Sequence, residues 1–153
     1  MSNLSSLIND FCQDILDGVK IRWMNRHSGK TYVQEKLKRW EFPPAAVVCA
    51  EQEVNPLVYA RATACGIGPN SYGATKSRDL KNKLLELGAL GTKTACGNSV
   101  GCCAEPHAAN SLIMKTDKSI RIETIKFSLA YRPRTGKVVP YCDNCKHTFP
   151  QLQ

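Results

Sequence analysis

Cys102-Cys-Ala-Glu-Pro-His-Ala-Ala-Asn-Ser-Leu-Ile-Met114 reads as a helix with its polar, chemistry-bearing residues in the first turn. Pro106 is tolerated there because first-turn amides have no intrahelical partner. Ala108, Ala109, Leu112 and Ile113 then recur at helical spacing and form a stripe for burial. Downstream, Ile125, Phe127, Leu129 and Tyr131 alternate with polar or small residues, the period of a strand. A basic turn, Arg132-Pro-Arg-Thr-Gly-Lys137, and Val138-Val-Pro-Tyr141 lead into Cys142-Asp-Asn-Cys145 and a short terminal helix.

Upstream, residues 91–101 form a loop, and Ser77 to Leu87 a short helix. Ser77 is its candidate N-cap, Leu80, Leu84 and Leu87 its apolar side, and Gly88 its stop. Cys65-Gly-Ile-Gly-Pro-Asn-Ser-Tyr-Gly73 reads as a loop, without the spacing of a dinucleotide fingerprint. Residues 45–50 and 57–63 are β-prone runs joined by a turn at Asn55-Pro56, which predicts a hairpin. Leu4, Leu7, Ile8, Phe11, Ile15, Leu16 and Val19 predict a helix over 4–19. Lys20 to Lys30 is basic and, with Trp23, Tyr32 and Trp40, interleaves cations with aromatic rings. That mixture can track a phosphate backbone or anchor the segment to the core.

At 153 residues the chain is sized for one domain, with an N-terminal helix and basic segment over 1–43 and a core over 44–153. Hydrophobic residues at 42% and charged residues at 22% argue against disorder. No stretch reaches the roughly 20 apolar residues that span a bilayer, so no membrane association is expected. The first ten residues lack the basic and long apolar regions of a signal peptide, which predicts reduced thiols rather than four disulfides for the eight cysteines. A net charge of +8 suits a polyanionic partner, nucleic acid first, or simply a solvated basic surface.

The chemistry gathers on Cys103-Ala104-Glu105 and Cys142-Asp143-Asn144-Cys145. A CxxC at a helix start aims two sulfurs at one point, a spacing suited to Zn²⁺. Cys103 at a second helix start makes a three-ligand set, the arrangement of catalytic rather than structural zinc. Glu105, two residues on, lies within reach of the same point and can exchange protons there. Cys102 could ligate in place of Cys103, but only Cys103 has the x-Ala-Glu spacing. Cys49-Ala50-Glu51 repeats the tripeptide inside a β-prone run, where a core cysteine beside an edge glutamate is the better reading.

These half-motifs resemble those of the zinc-dependent cytidine deaminase-like superfamily, in which Cys-Ala-Glu can replace His-x-Glu and a Pro-Cys-x-x-Cys follows. The Cys-Ala-Glu-Pro variant, with a short C-terminal end, looks most like the YwqJ-like deaminase domains of bacterial toxins, over roughly residues 44–150. The resemblance implies an α/β fold: a three-layer α-β-α sandwich on a mixed sheet, lacking the last strands of nucleoside-type members. It implies Cys103, Cys142 and Cys145 as zinc ligands and Glu105 as the catalytic proton carrier. It also implies a toxin acting in the cytoplasm of a competitor, delivered within a larger secreted protein and checked by an immunity protein. One Tyr separates Pro140 from Cys142, where the motif has none.

The implied reaction is hydrolytic conversion of cytosine to uracil. The +8 charge and the turn at 132–137 favour nucleic acid as substrate, single-stranded DNA ahead of RNA. Asn98, His107, Tyr131, Arg132 and Arg134 are candidates for substrate contact. Asn98 could instead stabilise its loop, and His107 could sit on the helix surface. His147 as a fourth ligand would close the site; Cys12, Cys65 and Cys96 read as small hydrophobes, Cys96 also as a structural ligand. Two alternatives stand beside the deaminase of nucleic acid. One is a deaminase of free cytidine or another nucleotide; the other is a nucleic-acid-binding domain with a structural four-cysteine zinc site, completed by Cys96 or Cys102.

Overall fold

Strand β1 (Ala46–Asn55) carries apolar residues on both faces, and this sets the layering. Val47 and Cys49 turn to one side and Val48 and Ala50 to the other, and all four are fully buried. A strand buried on both faces must be covered on both. The computed structural model, which describes residues 4–38, 41, 46–55, 60–68, 78–115 and 121–153, shows a helix layer on each side. Helix α1 (Leu4–Arg26) supplies Leu4 and Ile8 against Val47 and Cys49. Helices α2 (Arg78–Leu85) and α3 (Ala104–Lys115) supply Leu80, Leu84, Ala108, Leu112 and Ile113 to the other core. Phe149, following the short helix α4 (Asp143–Thr148), closes that core against Phe127.

Among the described residues the sheet holds five strands, ordered β2 (Ala60–Gly68), β1, β4 (Ala130–Tyr131), β5 (Val138–Val139), with β3 (Lys126–Phe127) also on β1. Every pairing among the described residues is antiparallel, which corrects the expected mixed sheet. The crossover through α2 and α3 does return the chain in the direction of β2. It lands on the far side of β1, so no two parallel strands become neighbours. After α4 the described chain adds a single 3-10 turn (Pro150–Leu152) and no strand. The finer identity of the sandwich rests on the resemblance alone.

The expected strand over 125–131 is interrupted at Ser128-Leu129, yet its bonding continues. Ser128 N donates to Cys49 O (2.8 Å), and Cys49 N donates to the Ser128 hydroxyl (2.9 Å). The hairpin expected around Asn55-Pro56 is present, with longer strands in register from Ala46↔Gly68 to Asn55↔Ala60; its turn lies outside the described residues. So do Trp40, Ser77 and residues 69–77. Cys65 to Gly68, expected as loop, are strand. The expected 4–19 helix runs on to Arg26, where Trp23 stacks on His27 and meets Tyr32 edge-on. No helix among the described residues is long and apolar enough to cross a membrane.

Two cysteines expected as reduced core residues are joined. Cys49 and Cys65 face each other across β1 and β2 and form a disulfide beneath α1. Glu51, expected at an edge, lies on the central strand at 4% exposure.

Candidate metal centre

Two helix starts converge because glycine lets one of them lie against the sheet. A methyl group on Gly66 would fall on the backbone of Ala104 and Ala108, and one on Gly68 would stand 2.5 Å from Ala104 N. Bare backbone at both positions seats the N-terminus of α3 on β2. Cys103 therefore immediately precedes the helix and Glu105 occupies its first turn. Opposite, Cys142 is the residue before α4 and Cys145 lies in its first turn, so the i, i+3 spacing turns both sulfurs the same way.

The sulfurs of Cys103, Cys142 and Cys145 all lie within 4.8 Å of one another, a group that could hold a metal ion. Cys103 and Cys142 are 3.5 Å apart. Sulfurs about 2.3 Å from a tetrahedral metal would be about 3.8 Å apart, so the observed spacing needs only small adjustment. The donors are thiols, soft ligands that suit zinc better than magnesium or calcium. The positive ends of α3 and α4 both point at the group and offset part of the charge of three thiolates.

The thiols already behave as a unit. The hydrogen bond from Cys103, then that from Cys145, holds the pKa of Cys142 below the ordinary thiol range. Donating to Cys142 raises the pKa of Cys103, and hydrogen bonds to Cys103 first and Cys142 second raise that of Cys145. The Cys145 thiol also donates to Glu105 Oε2 at 3.2 Å. Burial, at 5% exposure, raises the pKa of the Glu105 carboxyl, so it holds a proton more readily than an exposed glutamate.

Cys103, Cys142 and Glu105 line a cavity of about 470 Å³, with Cys145 buried behind them. That volume lies in the range of small-molecule sites. Of the five residues expected to touch substrate, Asn98 and Arg132 line it. Asn98 also engages Cys142 through its side chain, which helps lower the thiol. Tyr131 does not line it: strand alternation gives the cavity side to Ala130 and turns Tyr131 onto the α1 layer. Neither His107, on α3, nor Arg134, two residues into the turn that Arg132 begins, is part of the lining.

His147 faces Glu86 at 3.1 Å, away from the sulfurs. Cys102 lines the cavity but turns its sulfur toward Val100 O (3.8 Å), and Cys96 is exposed beside Thr94. Among the described residues, then, no fourth cysteine or histidine joins the group. Cys12, expected as a buried hydrophobe, is half-buried in the α1 layer.

Two residues with a part in the site carry no sequence signal of that part. Lys93 lines the cavity from a loop whose sequence has no distinguishing pattern. Asn144, inside the CxxC, is buried: it accepts from Thr94 Oγ1 (2.7 Å) and donates to Asn98 O (3.1 Å). It thereby ties the 94–98 loop to α4. Its place at an inner CxxC position is visible in the chain, but its partners depend on how the loop folds.

No protein-family model, curated protein or solved structure matches the chain.

Proposed function

We propose that the protein is a zinc-dependent hydrolytic deaminase that converts cytosine to uracil in single-stranded nucleic acid, DNA ahead of RNA. One observation carries the reading: a buried carboxyl, Glu105, lines the same cavity as Cys103 and Cys142 and touches Cys145. A structural zinc site needs no proton carrier beside its sulfurs; hydrolytic chemistry does. Zinc held by Cys103, Cys142 and Cys145 would lower the pKa of a water enough for it to react at neutral pH.

Glu105 would take the two protons of the attacking water in turn, passing the first to N3 of the base and the second to the amine, which departs as ammonia as its bond to C4 breaks. Its raised pKa fits a group that must both accept and release a proton near neutral pH. The thiols of Cys103 and Cys145 must ionise when metal is held, so metal uptake releases protons. Asn98 and Asn144 keep the cavity wall in register with Cys142. The net charge of +8 supports a polyanionic substrate. A role as a bacterial toxin with a separate immunity protein is supported by the Cys-Ala-Glu-Pro resemblance.

The test is to incubate zinc-loaded protein with single-stranded DNA, duplex DNA, RNA and cytidine and to measure uracil. The expected order places single-stranded DNA first, because a duplex must first surrender the base from its stack. Conversion of cytidine alone would move the substrate to free nucleosides. Absence of uracil from all four would overturn the cytosine reading.

A further inference from the structure

Removing an amine calls on the sulfurs and Glu105, and neither task involves a cation at the rim. Among the described residues the cavity nevertheless has two. Lys93 and Arg132 both line it and both remain exposed. Among the described residues neither is in an ion pair. The carboxyl that shares the lining, Glu105, is buried on the floor beside the sulfurs.

Each cation stands on its own braced hairpin. Lys93 bridges Ser99 in a loop held by Gly91 N→Val100 O, Val100 N→Thr92 O and Thr94 N→Asn98 O, at 2.9, 2.9 and 3.1 Å. The Thr94–Asn144 hydrogen bond ties that loop to α4. Arg132 begins the turn between β4 and β5, closed by Arg132 N→Lys137 O (2.9 Å) and Gly136 N→Arg132 O (2.7 Å). The wall near Arg132 is small and apolar, formed by Ala46, Gly68, Ala130, Val139 and Pro140. A flat base suits that wall, and two cations at the mouth suit an anion attached to it. Arg132 offers a planar fork that matches two phosphate oxygens, and Lys93 adds a point charge.

We propose that Lys93 and Arg132 form a phosphate site for the reacting nucleotide itself, so that the cavity takes a phosphorylated nucleotide in preference to a nucleoside. The identity of the base rests on the deaminase reading; the phosphate site does not. The basic segment 20–30 has no part in it, since α1 covers the opposite face of the sheet and contributes nothing to the cavity lining.

The test measures equilibrium binding to zinc-loaded Glu105→Gln protein, which should hold substrate without turning it over. The probes are deoxycytidine, deoxycytidine 5′-monophosphate, a trinucleotide with a central cytosine, deoxyadenosine and deoxyadenosine 5′-monophosphate. The monophosphate or the trinucleotide should bind roughly tenfold more tightly than deoxycytidine, the gain expected of charge-assisted hydrogen bonds. Lys93→Ala and Arg132→Ala, added singly, should each remove most of that gain and leave deoxycytidine binding unchanged. Lys137→Ala, an exposed cation outside the cavity, should not. A gain with the monophosphate assigns the site to a terminal phosphate, and one with the trinucleotide alone to a bridging diester; either supports the proposal. Equal affinity for nucleoside and both phosphorylated forms would overturn it and leave the deaminase reading standing. An equal gain on adenine and cytosine ligands supports the phosphate site and counts against cytosine. Failure of all five probes to bind would overturn both.

Discussion

Cys-Ala-Glu occurs twice, at 49–51 in β1 and at 103–105 where α3 begins, and the surroundings give the two copies opposite chemistry. In the strand, alternation puts Cys49 and Glu51 on one face, and antiparallel register sets Cys65 opposite Cys49. The sulfur is consumed in a disulfide under α1. At the helix start, Cys103 and Glu105 turn toward the Cys142–Cys145 helix, and the Cys103 sulfur is left outside any disulfide. Both glutamates are buried, at 4% and 5% exposure, so burial alone does not separate them. What separates them is whether the neighbouring sulfur has company from a second helix start or from a second strand.

The contrast can be broken at the sulfurs. Cys103→Ser, Cys142→Ser and Cys145→Ser should each lose tightly bound zinc, measured by metal analysis after gel filtration. Cys49→Ser should retain one equivalent. Full zinc in any of the first three would remove that residue from the ligand set; loss of zinc from Cys49→Ser would erase the distinction between the copies.

A smaller effect is expected from the strand copy. The disulfide closes a segment with a sequence separation of 16, and cross-links of that span contribute about 3 kcal/mol by restricting the unfolded chain. The double variant Cys49→Ala/Cys65→Ala should therefore unfold about 10 °C lower in a thermal melt, with zinc content unchanged. An unshifted melt would mean that the pair is reduced in the protein as isolated.

The mildest prediction concerns the seat of the helix copy. Gly68→Ala places a methyl group against Ala104 N, and overpacking of this kind costs roughly 1–3 kcal/mol. Because the methyl pushes on the start of α3, zinc affinity should fall along with stability, as read by chelator competition. A loss of stability with zinc affinity intact would mean that Cys103 is positioned independently of β2.

Much of this is legible in the chain. The 3.6-residue period of Ala108, Ala109, Leu112 and Ile113 marks α3, and the CxxC marks the helix that meets it. The features that escape reading depend on pairing between distant residues. Cys49 and Cys65 become partners only through the β1–β2 register, which no single segment reveals. Gly66 and Gly68 resemble loop residues; their purpose is the close approach of a helix that begins far along the chain, at Ala104. The antiparallel pairing of the described strands follows from which side of β1 the crossover chooses. Tyr131 differs in kind. The alternation that predicts its strand already assigns Ala130 and Tyr131 to opposite faces, and the cavity belongs to Ala130. Lys93 lies in a loop with no periodic signal, and only the folded cavity marks it.

The proton-carrying role of Glu105 is decided by comparing Glu105→Gln with Glu51→Gln, each loaded with zinc, for uracil formed in a single-stranded oligonucleotide. Glu105→Gln should keep its zinc and lose turnover by about 10²–10⁴-fold, the range for removal of a general acid–base group. Glu51→Gln should retain wild-type turnover. Wild-type rates of uracil formation in zinc-loaded Glu105→Gln would contradict the assignment of Glu105 as the proton carrier and, with it, the proposed mechanism.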